Sequence, residues 1–472
     1  MSKSLPFCKA LGMKTSPINL IPVEYLKQKT VYLNNFLRKV LSAQNILIAL
    51  ALLCIIVLLR NLIEAGILAA MCLFVGIFLL PVISRELRQD KYILFVFWFV
   101  VVLHQCIAFI NAYFFRTYGA GADASHFQSL SEEFALFGGA QATNGAQLYV
   151  QVLGLVYRWI GSSHLFGEQL SILAFAFSCI ILIKLMRLLE IKKYKVYSLL
   201  AFGSLPTMVF LGSITLRESY QILFFMLAVF FGIKMHLKGR LNVYIPIFIL
   251  SVIGMCTLHR GLIGFAMFMI PLFFVWSLRP ASHLGSIKKM RLLAFVMCPI
   301  AVIGLLIMSE KAGLSAYARF INNDWLDVLS QIRDGPIKWA GRTTYGVALD
   351  LSSNVMTIYS FIKIYFYYLF APFPWQVSSF IDVYASMESF FRMILICFSV
   401  KHWINAVGSQ KRLFGLLLIL YFSITFLFAL ATSNYGTAMR HHMLSWWIIV
   451  VIGIPPLVTK LSFLRFDRRS SV

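Results

Sequence analysis

The residues in this chain best suited to chemistry are acids, histidines and arginines placed at the ends of long apolar runs. Charged groups at such positions are expensive to bury in lipid and mark functional sites. Asp123 and His126 lie in GADASHF, and Glu132 and Glu133 follow in SLSEEF. Arg217 and Glu218 lie in LGSITLRES, His259 and Arg260 in TLHRGL, and Arg440, His441 and His442 in SNYGTAMRHHM. A fifth stretch carries Arg319, Asp324, Arg333, Arg342 and Asp350. Arginine grips phosphate with a planar fork, and histidine adds hydrogen bonds or charge. A carboxylate beside them can take a proton from a hydroxyl nucleophile. An arginine cluster with one outward acid therefore suits transfer of a group from a phosphate-linked donor to a hydroxyl, the arginines stabilising the departing phosphate.

On this reading Arg217, His259, Arg260, Arg440 and His441 hold the donor phosphate. Arg319, Arg333 and Arg342 face the acceptor or glycan, and His126, Glu132 and Glu133 are supporting acid–base candidates. Glu132 and Glu133 are adjacent, so on a helix at most one faces a site. Each group also has a structural explanation. Asp123 follows Gly119 and Gly121 and could be a solvated turn acid. Arg217–Glu218 could be the charged start of a helix, where Glu complements the dipole. The His259–Arg260 and Arg440–His442 clusters could be side chains snorkelling to the membrane surface. Glu388 and Arg392, four apart within a span, read as a structural ion pair. Nearly all of the eight cysteines lie in apolar stretches and act as small hydrophobes, predicting neither disulfides nor a thiolate metal site. No cofactor follows from these residues, and a divalent cation at the acids stays open.

The elements that position these groups follow from composition. The 472 residues are 60% hydrophobic and only 13% charged, against about a quarter charged in soluble proteins. The expected fold is an all-α polytopic membrane protein. Runs long enough to cross a bilayer fall near 44–60, 64–83, 92–112, 167–186, 196–213, 218–236, 241–258, 261–278, 292–309, 384–400, 412–431 and 441–459. A thirteenth apolar stretch, 355–372, is settled by charge. With twelve spans and a cytoplasmic N-terminus, 29 of the 42 Lys and Arg residues fall on the cytoplasmic side. A crossing at 355–372 would flip the basic 401–412 loop outward, so this Tyr- and Phe-rich stretch is read as lying in or dipping into the outer interface. The chain then divides into a basic cytoplasmic segment (1–43), a transmembrane domain (44–459) with outer segments 113–166 and 310–383, and a basic tail (460–472). The start of the chain is too long and polar to be a cleaved signal peptide. The net charge of +24 is spread in short runs between spans, which argues against a nucleic-acid partner.

Span three, then GADASHFQSLSEEFALFGG, then the amphipathic LYVQVLGLVYRWIGSSHLFG, then span four resembles the GT-C superfamily of membrane glycosyltransferases. The similarity is closest to bacterial relatives of the protein mannosyltransferases. SLPTMVFLGSITLRESYQILFFML, LHRGLIGF, APFPWQVSSF and YGTAMRHHMLSWW are similar to later landmarks, so the resemblance covers roughly residues 92–459. It implies Asp123 as catalytic base, Arg/His tips on the donor phosphate, and a polyprenyl-phosphate-linked sugar as donor. The acceptor would be a cell-surface glycan, lipid or protein at the outer face of the cytoplasmic membrane. Two features depart from the family: spans 44–60 and 64–83 precede its usual start, and Asp123 has no adjacent second acid. A Wzy-type polysaccharide polymerase or ligase is the nearest alternative and would rest on Arg319, Arg333 and Arg342. A lipid-linked glycan transporter or flippase would instead favour mid-membrane charge and broken spans, neither of which the sequence displays clearly.

Overall fold

Helices that are apolar on all sides must be buried in lipid or in one another, and the architecture follows from that. The computed structural model describes residues 66–139, 146–191, 193–238, 241–259, 261–275, 326, 329–331, 333 and 343–467. Expected spans 44–60 and 292–309, and residues Arg260, Arg319, Asp324 and Arg342, lie outside the described residues.

The first helices are α1 (Ile67–Ile83), α2 (Arg85–Arg88) and α3 (Lys91–Tyr113). Asp90 caps α3, its Oδ1 accepting the Tyr92 N–H at 2.8 Å. A π-helical turn, Ala120–Ala124, leads into the amphipathic helices α4 (Ser125–Phe137) and α5 (Gln147–Ile160). Then come α6 (His164–Leu188), α7 (Lys195–Ser204), α8 (Pro206–Gly212), α9 (Glu218–Lys238), α10 (Leu241–Leu258) and α11 (Leu262–Val275). The last helices are α12 (Asn354–Phe370), α13 (Phe380–Asn405), α14 (Gly408–Ala431) and α15 (Tyr435–Asp467). Among the described residues the only β pairing is an isolated bridge, Thr344 to Asn434.

Six of these helices (α3, α6, α9, α13, α14 and α15) are long and apolar enough to cross a membrane, and α7 with α8 makes a seventh if the pair is one span. Helices α1, α10 and α11 are shorter and apolar. The expected unbroken span at 196–213 is in fact bent by 58° between α7 and α8. Pro206 causes the break: it has no N–H to donate and disfavours helical backbone at Leu205, which is extended at ψ 130°. The opened turn exposes the main-chain N–H of Thr207, and Glu388 satisfies it, accepting from Thr207 N at 2.7 Å and from the Thr207 hydroxyl at 2.5 Å. Glu388 therefore spends its carboxylate on α8, while Arg392 donates to Leu369 O at 2.6 Å and lies 5.0 Å from the Trp446 ring. Both are structural, but the expected pairing between them is replaced by partners on other helices.

Helix α12 enters and leaves from one end of the bundle. Before it, Thr343 and Tyr345 pair with 433–435 at the start of α15. After it, Asp382 at the start of α13 accepts from Tyr435 Oη at 2.9 Å. Its C-terminal end nevertheless lies beside Ser389 and Arg392 of α13, which donate to Ala371 O and Leu369 O. At 1.5 Å per residue that is about 15 Å below the start of α13. The helix dips partway in and returns.

Candidate functional site

Asp123, Arg217, Glu218, His259 and Arg440 come from four chain segments and meet at one end of the bundle. The turn bearing Asp123 is fixed from beneath by Asn111 of α3. Its Oδ1 accepts from Thr117 N at 2.9 Å, and its Nδ2 donates to buried Glu168 of α6 at 2.5 Å. Gly119 then turns the chain with φ +82°, a conformation costly for residues with a Cβ, and a Cβ there would also strike Leu211. Helix α4 is held to α5 by Tyr157, whose hydroxyl donates to Gln128 Oε1 at 2.5 Å; Gln128 in turn donates to Glu132 at 2.6 Å.

Arg440, in the first turns of α15, stands at the centre. Its Nε and Nη2 both donate to Glu218 Oε1, at 3.1 and 2.5 Å, and its Nη1 donates to Asp123 Oδ2. The two carboxylates are unequal: the Glu218 side chain is 7% exposed and that of Asp123 is 51% exposed. Arg217 closes another side, donating through Nη1 to Leu258 O at 3.2 Å and facing the Phe127 ring at 5.9 Å. His259 packs edge-on to His441 at 5.9 Å, and His441 stacks on Phe428 with its Nδ1 3.0 Å from Thr432 Oγ1. Burial pushes the His259 imidazole down to about 4; Arg217 adds to this and Glu218 opposes it, so the ring is neutral at pH 7.

Other expected site residues go elsewhere. His126 and Glu133 are exposed on α4, and Glu132 serves the Gln128–Tyr157 chain. Arg333 is buried and donates to three main-chain carbonyls, Val347 at 2.6 Å, Ala429 at 2.9 Å and Thr432 at 3.0 Å. His442 faces away from the cluster, its Nε2 2.9 Å from Tyr368 O. Sequence reasoning placed Glu218 among the tip charges but gave it no role in the site beyond a helix-start charge. The missed signal was an acid at a short tip between two apolar runs, which when buried needs a cation. As for a metal, Arg440 itself bridges the two nearest carboxylates. Among the described residues no three His, Cys, Asp or Glu side chains converge to hold an ion.

An apolar groove of about 760 Å³ opens between the α7–α8 break, the end of α12 and α13. Tyr384 of its lining meets Tyr118 edge-on at 5.7 Å, five residues before Asp123. Comparison of the chain with protein-family models and with curated proteins finds no match.

Proposed function

We propose that this chain is a membrane glycosyltransferase that moves a sugar from a polyprenyl-phosphate-linked donor to a hydroxyl of a cell-surface glycan, lipid or protein. The reaction would occur at the outer face of the cytoplasmic membrane, with twelve spans and both termini inside. The observation that carries this reading is the bridge Asp123–Arg440–Glu218, which sets an accessible carboxylate against a guanidinium held in place by a second, buried carboxylate.

Asp123 accepts the proton of the acceptor hydroxyl, whose oxygen attacks the sugar's anomeric carbon. The bond from that carbon to the phosphate oxygen breaks, and the phosphate leaves with the electron pair. Arg440 and Arg217 meet the charge that grows on it. Glu218 keeps Arg440 aimed, and the donor phosphate competes with Asp123 for Nη1, releasing the carboxylate as base. The groove lined by Phe366, Phe370 and Phe390 offers an apolar path for the lipid chain. The polymerase alternative asks Arg333 to face glycan, whereas that side chain is enclosed by carbonyls.

Asp123→Asn decides the matter, since Asn keeps the shape but takes no proton at neutral pH. Turnover from a defined polyprenyl-phosphate sugar should fall about 10²–10⁴-fold while the protein still inserts and binds donor. Wild-type turnover in this variant would remove Asp123 from the reaction.

One observation favours a transporter instead: the broken α7–α8 pair with a buried acid against it. That reading requires Glu388, so Glu388→Gln would stop movement of the lipid-linked glycan. The glycosyltransferase reading expects Glu388→Gln to retain transfer.

A further inference from the structure

The end of the bundle away from Asp123 holds a second cavity, of about 680 Å³. One side of it is apolar, made by Phe398, Pro455 and Pro456, and the other carries Lys193, Lys401 and Lys460. The lysines come from three places: the α6–α7 turn, α13 and α15. None of them forms an ion pair among the described residues. Glu190 is the lining carboxylate, so the three lysines and this acid together carry a net charge of +2. Lys460 Nζ lies 5.9 Å from the Phe398 ring, where the basic and apolar sides meet.

The cavity is held open by specific contacts. Pro456 has no N–H, which leaves the Ile452 carbonyl without its helical donor. His402 Nδ1 supplies one at 2.7 Å and fixes α13 to α15. Nearby, Gly453 lets the two helices touch, since a Cβ there would lie 2.7 Å from Leu395 O. Glu190 and Tyr194 both adopt left-handed backbone, at φ 61° and 67°, which shapes the turn that carries Lys193. Gln410 Nε2 ties α14 to that turn through Leu189 O at 3.3 Å.

We propose that this cavity binds the phosphate headgroup of an anionic phospholipid, the lysines taking the phosphate and the apolar side the first methylenes of the acyl chains. Basic pockets between membrane helices suit such headgroups. A free phosphate would use the ammonium groups but not the apolar side, and the two sources are separable. The site lies away from the Asp123 cluster and does not depend on the glycosyltransferase reading.

The test uses the full-length protein in detergent at physiological salt, with phosphatidylglycerol as the probe and phosphatidylcholine as the neutral reference. Retained lipid is counted by native mass spectrometry, and affinity is read from lipid-dependent thermal stabilisation. Replacing Lys193, Lys401 and Lys460 together by Gln should weaken phosphatidylglycerol binding on the order of a hundredfold, and Lys401→Gln alone roughly fivefold. Arg85, Arg88 and Lys411 are exposed at the same end outside the cavity; changing all three to Gln removes equal charge and should cost less than about twofold. Inorganic phosphate at matched concentration should not displace the lipid. Equal losses in the two triple variants would reduce the effect to general surface charge. Unchanged binding in the cavity variants, or displacement by inorganic phosphate, would also overturn the proposal.

Discussion

Arg440 and Arg333 are both drawn toward the start of α15, yet they are used in opposite ways. Arg333 is enclosed and gives its hydrogen bonds to carbonyls of the main chain, as Arg392 does deeper in the bundle. Arg440 is 22% exposed and shares its guanidinium between two carboxylates. A carbonyl of a packed segment cannot move aside, so Arg333 and Arg392 are fixed parts of the fold. A carboxylate half in water can be exchanged for another anion. Residue type does not separate a ligand-binding arginine from a structural one; the partner does.

The contrast breaks if the two arginines respond alike. Arg333→Met leaves the Val347 carbonyl without its donor, at about 1–3 kcal/mol, and takes one of two donors from Ala429 O and from Thr432 O, which keep Thr432 N and the Tyr345 hydroxyl. It should lower the thermal midpoint in detergent markedly, and an unchanged midpoint would mean the clamp is not structural. Arg440→Lys keeps the charge and loses the fork. It should weaken binding of the lipid donor by roughly 1.5–3 kcal/mol, with the midpoint close to wild type; normal affinity would remove Arg440 from the phosphate site. Thr207→Val deletes one hydroxyl donor to Glu388 and should cost about 1 kcal/mol of stability without altering transfer. The effect confined to low pH concerns His259. Its imidazole titrates near 6.5 when unfolded and near 4 when folded, so folding excludes the proton. Its contribution is complete above about pH 6.5 and declines as pH falls toward about 4. His259→Gln should flatten stability against pH across that window, and an unaltered slope would assign the acid sensitivity elsewhere.

The helical architecture was legible because apolar runs and basic punctuation are local properties. The boundaries of α3, α6, α9 and α10 fall within a few residues of the runs that predict them. The break at Leu205–Pro206 was present in the sequence as a proline within an apolar run, but a proline alone does not say whether a helix kinks or parts. Glu388 decides that, from 181 residues away. The convergence of Asp123, Arg217 and Arg440 at one end was readable from span order. The coupling of Arg440 to Glu218 was not, since it depends on how α9 and α15 pack. Arg333 was misleading for the same reason, and Arg392, read correctly as structural, was given the wrong partner: sequence displays a charge and hides the carbonyls that absorb it. Tags at Ala140 and Gly436 should report outside and those at Lys192 and Gln410 inside, as the basic bias requires; an outside report at Gln410 would overturn the topology.

The dip of α12 has a consequence for how the protein is made. Its last carbonyls end partway along α13 and are satisfied by Ser389, Arg392 and His442, all of which are synthesised after it. When α12 leaves the ribosome, those donors do not yet exist, and lipid offers none. The segment is therefore expected to rest at the membrane surface, with its exposed Tyr359, Ile358 and Ile362 side chains among headgroups, until α13 and α15 are made. Its packing would then follow the synthesis of helices that come later in the chain.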